Sequence, residues 1–481
     1  MAQQVGDPAN ASAGGSVRPE IISPTQEDPV VADNCEVIGG PMGVHSAGGR
    51  WWNALRVLLV LTVLGFLVGW MTKTPCTTTG WADPGRYTHL CYTDIAPLFE
   101  LRGFADHVFP YIQDPLPGQQ QLEYPVLTGL FMALAGFLTP SGDSGMLWFY
   151  VINSLMLAVC LGVAVIATAL TVKRRPWDAA MVALAPGTIL CATINWDLIA
   201  VALTAVALCL WAKRYPTWAG VVLGLAAAAK FYPLMLLGPL LILCWRAARM
   251  NAFFRCLGGF VVAWLVCNVP FMLINFDGWA TFYTFSSERG EDFGSFWFVL
   301  SSLGQIDGLD ISFSVPADWL NLVATGLFLL LCVGVAILGL AAKRRPRLAA
   351  MCFLVIAAFL ITNKVYSPQY VLWLIPLAAL ARPRWRDFLI WQVGETIYYV
   401  AIWLYLAGFN DGKGLPAGWY AVAIMIHIAA TVFFAVMVVR DALKPSRDPI
   451  RTDGFDEDRD DPGGGVLDGA PDRWARDPLP V

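Results

Sequence analysis

Apolar runs dominate the chain, with short polar stretches between them. Twelve runs read as membrane-crossing helices: residues 52–71, 146–171, 179–194, 198–212, 218–229, 232–245, 254–274, 319–342, 348–362, 369–381, 388–407 and 417–439. A spanning helix needs about 20 apolar residues to cross roughly 30 Å of hydrocarbon. Several runs fall short of that, so neighbouring pairs also fit broken helices. The pattern predicts an all-α polytopic membrane protein, a bundle of about 12 transmembrane helices.

The polar connections alternate in charge. Lys173-Arg174-Arg175, Lys213-Arg214, Arg246 with Arg249 and Arg255, Lys343-Arg344-Arg345 with Arg347, and Arg382 with Arg384 and Arg386 fall at every second connection. Lysine and arginine concentrate on the cytoplasmic side of a membrane, so the alternation predicts both termini in the cytoplasm. It also decides the short apolar run 124–138. Were this run to cross the bilayer, every later basic cluster would move outside, so it is expected in or on the outer leaflet. One long outer loop results, residues 72–145, with a short amphipathic helix around 94–104 and the surface helix near its end. A second outer loop covers 275–318.

Composition agrees. Hydrophobic residues make up 57% and charged residues 14%, against about 25% charged in soluble domains. The 20 Trp suit membrane interfaces. The net charge of −4 says little, because acidic ends mask the basic connections. Residues 1–50 are polar and rich in Gly, Pro and Ala, with no early apolar run to serve as a cleavable leader. They read as a disordered tail. Residues 441–481, with the acidic run at Asp456–Asp461 followed by Gly463-Gly464-Gly465, read the same way, leaving 51–440 as the membrane domain. Most of the 11 cysteines lie in apolar runs and read as small packing residues. Cys76 and Cys91 lie in the first outer loop and form a disulfide candidate, which spacing alone does not decide.

Polar residues at the outer connections carry the candidate chemistry, since charge near a bilayer is costly. Asp94, in Cys91-Tyr92-Thr93-Asp94-Ile95-Ala96-Pro97, reads as a general base or as the N-cap of the helix that follows. Lys230, in Ala229-Lys230-Phe231-Tyr232-Pro233, reads as a phosphate ligand or as a lysine snorkelling from a helix end. Asp197, in Asn195-Trp196-Asp197-Leu198, reads as an N-cap, a partner for a basic residue or a ligand for a substrate hydroxyl. Lys364, Tyr366 and Gln369 gather at another outer helix end, where a loop break before Pro368 also explains the polarity. Arg289 sits in Ser287-Glu288-Arg289-Gly290-Glu291-Asp292, as a phosphate clamp or part of a solvated charge cluster. Arg102, Asp106, His107 and Glu123 of the first loop line a cleft or decorate its rim. His89 and His107 are too isolated for a metal site. There is no Walker loop, dinucleotide fingerprint or zinc-ligand spacing. No cofactor, metal ion or nucleic-acid partner is expected.

Four stretches resemble the polytopic GT-C glycosyltransferases, and among them glycosyltransferase family 87, the polyprenyl-phosphate-mannose-dependent mannosyltransferase-like proteins of actinobacterial envelopes. They are Tyr92-Thr93-Asp94-Ile95; Glu123-Tyr124-Pro125-Val126-Leu127-Thr128; Asn195-Trp196-Asp197-Leu198 with the later Lys230-Phe231-Tyr232-Pro233; and Ser367-Pro368-Gln369-Tyr370-Val371-Leu372-Trp373. Each is short, and their order and topological placement give the resemblance its specificity over about residues 52–440. Many members of the family have Gly-Gln before the helix that opens here with Asn195-Trp196-Asp197.

The resemblance implies a GT-C-like bundle in the cytoplasmic membrane with its active site on the periplasmic side. It implies a polyprenyl-phosphate sugar donor, with mannose favoured over arabinose, and a lipid or glycan acceptor. Asp94 matches the family's catalytic first-loop acid. Lys230, Lys364 and Arg289 become candidate ligands of the donor phosphate, and Asp197, Glu123, Tyr124, Tyr366, Gln369, Arg102 and His107 candidate substrate contacts. A transporter or flippase of a lipid-linked precursor is the rival class, because short runs also suit broken helices around a central site. Against it, no inverted repeat is evident, and the polar residues gather at the outer face rather than at mid-bilayer.

Overall fold

A computed structural model of the chain describes residues 21–22, 28–39, 51–305, 316–411, 413–451 and 459–473. Most of the expected N-terminal tail, residues 306–315 of the second loop and parts of the C-terminal tail lie outside these. The described residues are helical and contain no strand. Every apolar run of the sequence appears as a helix or a helical pair. Among the described residues five helices are long and apolar enough to cross a membrane: Ala54–Met71, Gly145–Thr171, Met250–Ile274, Ala317–Ala341 and Ala417–Leu443.

The shorter helices form the inside. Leu348–Thr362, Val371–Ala381 and Asp197–Ala212 are buried on nearly every face. Their sequences are hydrophobic all round, as a helix enclosed by other helices must be. Ala317–Ala341, by contrast, buries only Leu320, Ala324 and Gly339. Several short runs are indeed broken. Residues 179–194 divide into Ala180–Leu184 and Pro186–Cys191, because Pro186 has no N–H to continue the ladder and favours an extended Ala185. Pro233 and Pro368 likewise open 3-10 turns, Tyr232–Leu236 and Pro368–Tyr370, ahead of the helices that follow.

Close backbone contact locks Pro216–Ala229 onto Met250–Ile274. A Cβ on Gly220 would lie 1.9 Å from the Cys256 carbonyl oxygen, and one on Gly224 2.3 Å from that of Phe260. Small residues are the usual means of such an approach in membranes. At the Lys230 end of this pair packs the helix Val126–Leu138, where Thr128 Oγ1 donates to the Ala229 carbonyl at 2.7 Å.

The opposite end corrects the reading of the tails. The last helix continues to Leu443, and residues 445–451 and 459–473 fold onto the basic connections. Asp448 pairs with Arg347 at 2.6 Å and Asp472 with Arg246 at 2.8 Å. Asp460 pairs with Arg345. Asp461 accepts from the Leu348 N–H at 2.8 Å, and Trp211 Nε1 donates to the Gly464 carbonyl at 2.8 Å. At the other terminus Pro29–Gly39 is helical, and Asp28 accepts from the Trp385 N–H at 2.8 Å. Low hydrophobicity and dense charge read locally as disorder. The carboxylates here are counter-ions for arginines more than a hundred residues earlier in the chain, which a local reading cannot see.

Candidate functional site

The Asp94 segment is held in place from three sides. Cys76 and Cys91 are joined by a disulfide, with their Cα atoms 6.0 Å apart. Buried Lys73 donates to the Tyr92 carbonyl and to Tyr399 Oη, each at 3.0 Å, and burial draws its pKa down to about 8. Thr93 Oγ1 donates to the Thr193 carbonyl at 2.7 Å, and the Asp94 N–H to that of Ile194 at 2.8 Å. The Asp94 segment is thereby stitched to the turn that opens the helix Asp197–Ala212.

Asp94 occupies the cap position of the helix Ile95–Leu101, but its carboxylate caps nothing. Thr93 Oγ1 instead accepts from the Ile95 N–H at 3.1 Å. The carboxylate of Asp94 turns into a cavity of ≈ 530 Å³. There Tyr92 Oη donates to Oδ1 at 2.6 Å and Asn195 Nδ2 reaches Oδ2 at 3.4 Å. Burial raises the Asp94 pKa above the ordinary carboxylate range, against the opposing pull of these two donors and of Lys230.

Two cations line the same cavity. Lys230, at the C-terminal end of Pro216–Ala229, places Nζ 3.2 Å from Asp197 Oδ1, among the rings of Tyr124, Tyr370 and Trp373. Arg289, at the end of Phe276–Glu288, pairs with Asp292 at 2.9 Å. Glu123, Tyr124 and Gln369 also line the cavity, as do Phe282, Phe285, Ile402 and Leu406. On one side Tyr92 stacks on Trp403, with centroids 4.4 Å apart, and Tyr87 stacks on Tyr92 at 5.7 Å.

Other expected residues stand elsewhere. Asp197 is the first residue of its helix rather than the cap, and it is fully buried beneath the cavity. Its carboxylate takes Lys230 and the Trp373 indole N–H at 2.7 Å, the basic-partner alternative among its readings. Lys364 does not line the cavity. Its ammonium donates to the Ser287 carbonyl at 3.1 Å and to that of Arg289, so it holds the segment carrying Arg289. Tyr366 is buried inside the bundle, where its hydroxyl meets Thr431 at 3.1 Å and Glu395 at 3.3 Å. Arg102 lies behind Glu123 and grips it with two hydrogen bonds, at 2.6 and 2.7 Å. His107 faces a separate hollow beside Phe104 and Phe137. Lys364, Tyr366 and Arg102 therefore support the cavity without facing it, because the protein itself satisfies their polar atoms, and His107 flanks it.

Several lining residues carry no role in the sequence reading. Tyr92 and Asn195 are visible as neighbours of Asp94 and Asp197 in the short motifs. Asp292 follows Arg289 by three residues. Trp403 has no local signal, since it lies on the helix Trp385–Asp411, some three hundred residues from its stacking partner. Among the described residues no cluster of three His, Cys, Asp or Glu side chains suits a metal ion.

The sequence profile of glycosyltransferase family 87 matches residues 122–362, half of the chain, and the protein belongs to that family. It is a multi-pass membrane glycosyltransferase. The matched interval contains Glu123, Tyr124, Asn195, Lys230 and Arg289, and begins after Asp94. Among solved structures the chain is similar to ArnT from Cupriavidus metallidurans bound to undecaprenyl phosphate, with 15% identity, coverage of 81% of this chain and 78% of that one, and a TM-score of 0.43. No curated protein matches the sequence.

Proposed function

We propose that the protein transfers a sugar from a polyprenyl-phosphate donor to a hydroxyl of a lipid or glycan acceptor, at the outer face of the cytoplasmic membrane. Mannose is the first choice of sugar and arabinose the second. The observation that carries this reading is one cavity lined by Asp94, a carboxylate with no ion-pair partner among the described residues, and by the cations Lys230 and Arg289. Phe282, Phe285, Ile402 and Leu406 supply apolar walls suited to an isoprenoid chain. Activated sugars at that face are lipid phosphates, because nucleotide sugars stay in the cytoplasm.

In this reading Asp94 removes the proton of the acceptor hydroxyl as its oxygen bonds to the anomeric carbon. The bond from that carbon to the phosphate oxygen breaks, and its electron pair leaves with the lipid phosphate. The leaving group gains one negative charge, and Lys230 and Arg289 stabilise it. Asn195 and Tyr92 aim the carboxylate. A single displacement inverts the anomeric centre, so a β-linked donor gives an α-linked product.

The test is transfer by purified protein in lipid, with radiolabelled polyprenyl-phosphate mannose, a membrane-lipid extract as acceptor pool and Asp94→Asn as control. Label entering a new product in the wild type and not in the variant supports the reading. Transfer that survives Asp94→Asn removes Asp94 from the mechanism. Translocation of labelled lipid in proteoliposomes, without transfer from either mannose or arabinose donors, overturns the reaction itself.

A further inference from the structure

Two sets stand out among the arginines of the basic connections. Arg246, Arg345, Arg347 and Arg382 answer to carboxylates: Asp472, Asp460, Asp448, and Asp387 with Asp441. Arg214, Arg249 and Arg255 have no ion-pair or hydrogen-bond partner for their side chains among the described residues. All three line one cavity of ≈ 390 Å³. Its other polar walls are Asn251 and Asp468, and Asp468 Oδ1 is already taken by the Asp461 N–H at 2.9 Å.

Three arginines thus line one cavity that holds a single carboxylate, that of Asp468. Arg214 follows the helix Asp197–Ala212, Arg249 precedes Met250–Ile274, and Arg255 stands in that helix's second turn. Arg214 has φ 66°, the left-handed region where glycine is unstrained and where a side chain costs energy. Like charges gathered this way repel unless an anion lies between them. Phosphate suits the place, because a guanidinium binds it through two parallel hydrogen bonds.

The surroundings identify the source of the phosphate. Tyr215, Trp218 and Phe254 flank Arg214 and Arg255 and are 56%, 63% and 60% exposed. Large exposed aromatics beside arginines mark the level where headgroups meet acyl chains. Basic pockets between membrane helices at this level recognise anionic headgroups.

We propose that this cavity binds the headgroup of an anionic phospholipid from the leaflet adjoining this face. The lipid would bridge two connections and the C-terminal segment, through Val466 and Asp468, at the end of the bundle away from Asp94. The proposal is thus independent of the transfer reaction.

The experiment uses the full chain in phosphatidylcholine nanodiscs doped with phosphatidylglycerol, with retained lipids counted by native mass spectrometry. The wild type is expected to keep phosphatidylglycerol in preference to phosphatidylcholine. The variant Arg214→Gln/Arg249→Gln/Arg255→Gln is expected to retain about tenfold less or lower still, since each basic side chain contributes separately. A charge-matched control, Lys173→Gln/Lys343→Gln/Lys444→Gln, alters three exposed lysines and should retain the wild-type amount. Equal loss in the control, or no loss in the arginine variant, overturns the proposal. So does complete displacement of the lipid by millimolar inorganic phosphate, which would assign the cavity to a soluble anion. Should the triple variant unfold, Arg255→Gln alone is read in the same way.

Discussion

Lys230 and Asp197 form a single unit: Nζ of the one lies 3.2 Å from Oδ1 of the other, and the carboxylate is wholly buried while the lysine reaches the cavity. The pair joins the end of one helix to the start of another. Trp373 fixes the carboxylate from a third. Breaking such a pair from one side leaves a buried charge uncompensated, at a cost of about 3–5 kcal/mol. Lys230→Met should therefore lower the melting temperature sharply, and the double variant Lys230→Met/Asp197→Leu should recover most of the loss. Neither should transfer sugar. A double variant that regained transfer would remove Lys230 from the donor site.

Asp94→Asn separates chemistry from binding. Asparagine keeps an acceptor for Tyr92 Oη, so the geometry of the segment should survive. General-base catalysis contributes about 10²–10⁴-fold, so kcat should fall by at least about a hundredfold. The KM for donor should change little. A large change in KM with kcat preserved would make Asp94 a binding residue only.

The acidic limb of the pH–rate profile follows from the same site. Burial raises the Asp94 pKa, so the proposed base should become protonated, and the rate fall, at a pH above the ordinary carboxylate range. The Tyr92 hydrogen bond favours the charged form and acts against that rise. Tyr92→Phe should then move the acidic limb to higher pH, because the proton binds more tightly once the donor is gone. A profile of kcat/KM against pH for the two proteins decides it. An unmoved limb would mean that another group titrates.

The sequence carried the fold further than the site. Hydrophobic runs place the helices, because lipid demands long apolar stretches wherever a chain crosses it. The breaks at Pro186 and Pro233 are local chemistry too. Asp94, Lys230 and Arg289 were legible because charge beside a membrane stands out. Lys364 and Tyr366 stand out equally, yet their partners are the Ser287 and Arg289 carbonyls for one and Glu395 with Thr431 for the other. Which polar side chain faces a cavity and which is consumed internally depends on tertiary contact, and no spacing encodes it. The Tyr92–Trp403 stack and the folded acidic C-terminal segment failed to register for the same reason.

Gly294 offers a test of the second loop. A Cβ there would lie 2.0 Å from both the Tyr366 carbonyl oxygen and Tyr398 Oη, and the Gly294 carbonyl faces His427 Nε2 at 3.1 Å. The loop that carries Arg289 and Asp292 is therefore pressed onto the bundle. Gly294→Ala must lift it, and with it Arg289, the cation proposed to meet the leaving phosphate. The expected result is a rise in donor KM of about tenfold or more, the equivalent of about 1.4 kcal/mol, with the other half of the cavity unaltered. Unchanged KM and kcat would show that Arg289 does not contact the donor.

The C-terminal segment should be worth far more to stability than its composition suggests. Arg246 is completely buried and gives its guanidinium to Asp472, at 2.8 Å through both Nε and Nη2, and to the carbonyls of Gly339 and Ala342. Removing residues 459–481 takes away Asp472 together with Asp460 and Asp461, which serve Arg345 and the Leu348 N–H. Loss of one partner of a buried pair costs about 3–5 kcal/mol, and the losses here are coupled. The truncated chain should unfold well below the wild type in a detergent melt, whereas Arg246→Met within the truncation should recover part of the loss by removing the orphaned charge. Recovery tells an electrostatic cause from the mere loss of packing by Trp211 and Leu467, since packing would leave both truncated proteins equally weak.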